Sequence, residues 1–129
     1  MTEIRVVIAG IGNSASSLLQ GVQYYSENGN SIGLLHEKLG GYTAGDIKLV
    51  AAFDVDKNKI GKEVSEAIHA EPNKAPKMVE LKKTGVTVQM GPHPDSLNGN
   101  TMSQIVLAEK KPVDIAKILK ETKADLLLN

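Results

Sequence analysis

The chain contains no cysteine, which removes disulfides, thiolate zinc sites and cysteine nucleophiles from consideration within it. Aromatic side chains are nearly as scarce, being confined to Tyr24, Tyr25, Tyr42 and Phe53. The 15 basic and 15 acidic residues cancel. With neither a basic stripe nor an aromatic platform, nucleic acid is not expected as a partner. Long apolar runs are missing too. The first extends only from Val6 to Gly12, no basic leader precedes it, and no stretch reaches the length that spans a bilayer. No membrane partner is expected, and the expected location is the cytoplasm. A length of 129 residues allows one domain with a core of its own.

What the chain does have begins at once. The stretch from Ile4 reads as a buried parallel strand that ends at Gly10 and leads into Gly10-Ile11-Gly12-Asn13-Ser14-Ala15, a Gly-x-Gly-x-x-Ala turn. Gly10 suits a tight turn, and Gly12 lacks the Cβ that would hold a pyrophosphate away from the backbone. Ala15 keeps the following helix close to the strand. That helix is expected from about Ser14 to Tyr25, with Ala15, Leu18, Leu19 and Val22 on its inward face. Its first N–H groups would face phosphate oxygens. Asn13 and Ser14 can each cap the first turn or neighbour a phosphate, and both readings stay open at this point. Ser16 and Ser17 have no base beside them and are read as solvated or ligand-adjacent positions rather than nucleophiles.

A second buried strand is expected over Ile47 to Asp54, closed by a carboxylate. In a nucleotide-binding strand–helix–strand unit, an acid at that place accepts hydrogen bonds from ribose hydroxyls and repels a 2′-phosphate, so Asp54 favours NAD over NADP. Asp56 is the better candidate to cap a following helix, on which Ile60, Val64, Ala67 and Ile68 recur at helical spacing. The distance from the glycine turn to Asp54 far exceeds the usual twenty or so residues. An insertion must account for it, and the glycine-rich segment from Glu27 to Asp46 reads as a surface loop that could also pack on a neighbour or roof a ligand.

Further on, Val86 to Met90 reads as a third strand. Pro112 suits the first turn of a helix with Ile115, Ala116, Ile118 and Leu119 inward. Ala124 to Asn129 reads as a fourth, parallel strand. His36 has no second ligand at metal spacing, and no metal is expected. His69 and His93 are read as solvated or packed, and Lys57-Asn58-Lys59, Lys82-Lys83 and Lys110-Lys111 as solvated faces.

Several strings of this sequence are more particular than the dinucleotide turn they contain. Ile8 through Tyr25, Gly33-Leu34-Leu35-His36, Gly41-Tyr42, Asp46-Ile47 and Val50 through Asp56 together resemble the archaeal and actinobacterial type of the myo-inositol-1-phosphate synthase family. Val88 through Pro92, Pro112-Val113-Asp114, Leu119-Lys120 and Ala124 through Asn129 match later landmarks of that family in order. Ser14 departs from the cysteine that relatives often carry, and Pro94-Asp95-Ser96 from a Leu-Asp-Gly; neither touches the glycines or Asp54. The long segment between the first helix and second strand is itself a family feature.

The resemblance implies an α/β, Rossmann-like parallel sheet with flanking helices, and a chain that is the amino-terminal, NAD-binding piece of a longer enzyme. It implies NAD bound tightly and recycled while glucose 6-phosphate becomes an inositol monophosphate by oxidation at C5, enolisation, internal aldol closure and reduction. It also implies a homotetramer serving inositol and phospholipid biosynthesis. The lysines that act on the sugar in this family lie downstream of Asn129, so no catalytic residue is named within the chain. The expected cofactor-binding residues are Gly10, Ile11, Gly12, Asn13, Ser14 and Asp54. Another NAD-dependent oxidoreductase and a non-catalytic nucleotide-binding module are the alternatives, since fold alone excludes neither.

Overall fold

In a computed structural model, which describes residues 3–27, 29–92 and 105–129, four parallel strands form one sheet. Strands β1 (Ile4–Ala9), β2 (Ile47–Asp54), β3 (Val88–Met90) and β4 (Leu126–Leu128) lie in the order β3-β2-β1-β4. Helix α1 (Asn13–Glu27) joins β1 to β2, a single turn of helix α2 (Val64–Ala67) lies between β2 and β3, and α3 (Ile115–Glu121) precedes β4. The expected α/β class and parallel sheet are therefore present, and the second strand has the expected bounds. His93 and the Pro94-Asp95-Ser96 string lie outside the described residues.

Alternation along the strands builds two core layers. Val6, Ile8 and Ala52 face α1 and α2, where Ala15, Leu19, Val64, Ala67 and Ile68 complete a buried cluster with Ile11 and Val88. Val7, Ala51 and Phe53 face the other way, against Ile115, Ile118 and Leu119 of α3. The register of β1 on β2 slips once, between Val6 and Val7.

Connections leave β1 toward β2 on one side and return to β4 on the other, so the strand order reverses between β1 and β4. Ligands of open α/β sheets bind beyond the carboxyl ends of the strands at such a reversal. The loop from β1 to α1 lies there. The long segment between α1 and β2 lies at the opposite end of the sheet, because α1 has carried the chain back toward the amino ends of the strands. Among its described residues it is a largely exposed surface segment, as expected, with a 3₁₀ turn at Ala44–Asp46, and it lies away from the glycine turn.

Two helices depart from their expected limits. The helix expected after Asp56 is instead a series of turns followed by the short α2, because Gly61 adopts φ +84° and its N–H bonds to Val88 O at 2.9 Å rather than to the preceding turn. Pro112 precedes α3 rather than opening it, and Asp114 caps the helix by accepting from Lys117 N at 3.2 Å. On α1, Ser16 and Gln20 are buried whereas Leu18 is 40% exposed. This reverses part of the expected inward face.

Candidate functional site

The glycine turn is held on its protein side and open on the other. Gly10 N donates to Phe53 O at 2.7 Å, extending the ladder of β1 and β2 by one residue. It then adopts φ +97°, a conformation that strains any residue with a Cβ. Ile11 is fully buried. Its N–H donates to Asp54 Oδ2 at 2.7 Å, and its carbonyl accepts from Asn73 Nδ2 at 3.0 Å. At Gly12 a Cβ would meet no atom within 4 Å. Neither a left-handed torsion nor a protein neighbour requires glycine at position 12, and the free space beside it is what a closely approaching ligand would use.

Gly12 O accepts from Ser16 N at 3.0 Å, which makes Gly12 the N-cap of α1, without a side chain to cap it. The N–H groups of Gly12, Asn13, Ser14 and Ala15 find no acceptor among the described residues. Four unpaired donors at the positive end of a fifteen-residue helix form a cradle for an anion. A pyrophosphate fits it on two counts, donors and space.

The side chains around the turn behave less simply than their spacing indicated. Asn13 does not cap α1; its Oδ1 accepts from Lys74 N at 2.6 Å and Ala75 N at 2.8 Å. Ser14 is exposed on the first turn. Asp54 is not a free acceptor either. Besides Ile11 N–H, its carboxylate accepts from Val55 N at 2.7 Å and Asp56 N at 3.0 Å, and its side chain is only 9% exposed. An ionised carboxylate offers about four acceptor positions, so Asp54 both ties the end of β2 to the glycine turn and retains room for one further donor. Asp56, fully buried, accepts from Asn58 N at 2.9 Å and caps one turn rather than a helix.

Residues that sequence reasoning passed over complete the site. Lys59, expected on a solvated face, is 3% exposed, with Nζ 2.9 Å from Asn73 Oδ1, 3.9 Å from Asp54 and 3.8 Å from Asp56. The segment from Asn73 to Lys82 runs along α1 as a strap. Gln20 binds it through Pro76 O, Met78 N and Val79 N, and Gln23 through Glu80 O and Lys82 N. Asn13, Gln20 and Gln23 recur at helical spacing on one face, a signal in the sequence that apolar periodicity ignores. Ser16, expected near solvent or ligand, is buried and accepts from Gln20 Nε2 at 3.0 Å.

One turn away, Glu63 gathers the start of α2 and the approach to β3. It accepts from Ser65 N at 2.8 Å, Thr84 N at 2.7 Å and Gly85 N at 3.0 Å, and from both the Ser65 and Thr84 hydroxyls. Burial pushes its pKa up. The hydroxyls of Ser65 and Thr84, with the backbone N–H groups of the same residues, outweigh burial and hold the carboxyl at about 2, below its ordinary 4.5.

Curated relatives align with this chain nearly end to end. Inositol-3-phosphate synthase of Mycolicibacterium smegmatis is 46% identical over 130 residues, covering 98% of this chain. The enzyme of the same name from Corynebacterium glutamicum is 43% identical, also over 98% of the chain. The chain is similar to the amino-terminal part of actinobacterial inositol-3-phosphate synthases. It spans about a third of their length, 36% in both cases. Among solved structures, that of Ari2 superposes with a TM-score of 0.74 at 30% identity, covering 97% of this chain and 36% of that one. A myo-inositol-1-phosphate synthase-related protein of Thermotoga maritima superposes with a TM-score of 0.65 at 21% identity over 97% of this chain and 33% of its own, a likeness of fold. No family model matches the chain.

Proposed function

We propose that this chain forms the adenosine- and pyrophosphate-holding part of an NAD site in an inositol-phosphate synthase, the enzyme that converts D-glucose 6-phosphate to 1D-myo-inositol 3-phosphate. The observation that carries the reading is the 46% identity to such an enzyme over 98% of the chain, joined to a glycine turn whose unpaired N–H groups face open space. When bound, NAD supplies a hydride acceptor that returns the hydride later in the same cycle. The chain's own residues bind and orient it. Gly12 admits the pyrophosphate, the N–H groups from Gly12 to Ala15 donate to it, and the remaining acceptor position of Asp54 takes a ribose hydroxyl while its charge disfavours a 2′-phosphate.

On this reading residues 1–129 are part of a longer, cytoplasmic, oligomeric enzyme, and the groups that polarise the sugar carbonyls come from the remainder. Full-length protein incubated with glucose 6-phosphate and NAD should form inositol phosphate with no net change in NADH absorbance. Stoichiometric NADH accumulation without inositol phosphate would instead identify an ordinary dehydrogenase. The 129-residue chain by itself should form neither product, since losing orientation and carbonyl stabilisation removes many orders of magnitude in rate.

A further inference from the structure

Lys59 and Asn73 lie outside the set of groups that would touch a nucleotide, yet they converge on the one peptide whose orientation decides whether the turn can hold a phosphate. Asn73 places Oδ1 2.9 Å from Lys59 Nζ and donates through Nδ2 to Ile11 O and Ile68 O, both at 3.0 Å. An ammonium is a donor only. It therefore dictates which end of the carboxamide faces it, and the NH₂ group must turn to the two carbonyls. The peptide between Ile11 and Gly12 is planar and trans, so its C=O and N–H point in opposite directions. Holding the Ile11 carbonyl against Asn73 aims the Gly12 N–H away from the protein and into the open cradle.

Lys59 is fitted for this as a fixed charge. It is buried between Asp54 and Asp56, and the Oδ2 atom of Asp56 is buried with no hydrogen-bond partner among the described residues. The ammonium is the counter-ion of both carboxylates, so it is held in place from one side while it orients Asn73 on the other.

We infer that Lys59 and Asn73 form a positioning relay that sets the Ile11–Gly12 peptide for phosphate binding, Lys59 acting through Asn73 and neither touching the ligand. The inference rests on the nucleotide reading for its purpose, though not for its structural half. Asn73→Leu leaves every charge of the cluster in place and severs the relay, and Lys59→Met removes the group that orients Asn73. The Ile11 carbonyl ¹³C resonance should move upfield in both variants, as a carbonyl that loses a hydrogen-bond donor does, and the Gly12 amide ¹⁵N across the same peptide should move with it, while β2 amides exchange within about twofold of wild type.

Calorimetric titration of the Asn73→Leu chain should show ADP affinity reduced by about tenfold, whereas adenosine, which lacks the phosphates, binds within about twofold of wild type. A merely structural defect would weaken both. Unmoved Ile11 carbonyl and Gly12 amide resonances in Asn73→Leu would overturn the relay, and unmoved resonances in a folded Lys59→Met chain would remove Lys59 from it. If Lys59→Met does not fold, Asn73→Leu carries the test. A wild-type chain that binds neither ADP nor adenosine would refute the nucleotide reading, with the Ile11 carbonyl and Gly12 amide resonances still deciding whether the relay exists.

Discussion

At Gly12 folding makes no demand for glycine, because an added Cβ would meet no described atom within 4 Å apart from its chain neighbours. Gly12→Val should therefore keep the thermal stability of the parent while losing ADP and NAD binding, checked by thermal melts beside calorimetric titration. A large drop in stability would mean the position is structural after all. Asp54 is the opposite case. Its carboxylate holds the N–H groups of Ile11, Val55 and Asp56, so Asp54→Ala should weaken nucleotide binding and destabilise the fold together. Hydrogen bonds to a charged acceptor are worth about 1.5–3 kcal/mol each, and a urea titration should show a loss of at least that order. Undiminished stability would return Asp54 to a pure ligand role.

The same residues show where sequence reading reached its limit. Gly10, Gly12 and Asp54 were legible because each carries a local requirement: a positive torsion, a missing side chain, a strand that ends on an acid. Lys59 and Asn73 were not legible. A lysine reads as solvated in almost every window, and its burial is settled only when two aspartates of its own turn and an asparagine from a distant segment enclose it.

Among the elements, α2 and the approach to β3 depend on Glu63. Its carboxyl titrates near 2 in the folded chain against an ordinary 4.5, so its contribution is complete above the unfolded value and lost as pH falls from about 4.5 toward 2. Urea midpoints should decline over that window in the parent. In Glu63→Gln, which has no carboxylate to protonate, this component should be missing, and the gap between the two proteins should close as pH approaches the lower limit. Parallel curves for the two proteins would show that Glu63 is not the titrating group. Sequence pattern placed β1, β2 and the body of α1 close to their limits, since long apolar runs and helical spacing are strong signals, whereas β3 and β4 are shorter than expected. It overextended the helix after Asp56, where Gly61 and a bond to Val88 O override the spacing of Ile60, Val64 and Ile68.

For the whole molecule, β4 is the edge strand whose side chains stand exposed among the described residues. Leu126, Leu127 and Leu128 remain 51%, 46% and 40% exposed, and Leu126 and Leu128 join Ile4, Ile8, Leu18 and Val22 around an apolar groove beside α1. A free strand edge carrying three leucines seeks partners. The 129-residue chain should self-associate as its concentration rises, and Leu128→Lys should reduce this, as light scattering coupled to size exclusion would report. A monodisperse monomer at high concentration would show that the edge is tolerated as it stands.

The alternation of buried strands with helices, the glycine turn at the head of α1 and the acid at the end of β2 follow from hydrophobic period and from backbone torsions that act within a few residues. Packing of distant segments is what reverses the strand order between β1 and β4, sets the long segment after α1 away from the glycine turn, and brings the strap to Asn13, Gln20 and Gln23. It alone buried Lys59 between two carboxylates. Those outcomes depend on which distant groups are brought together, and a buried polar group takes whatever partner the fold supplies, since leaving it unpaired costs more than any local preference can return.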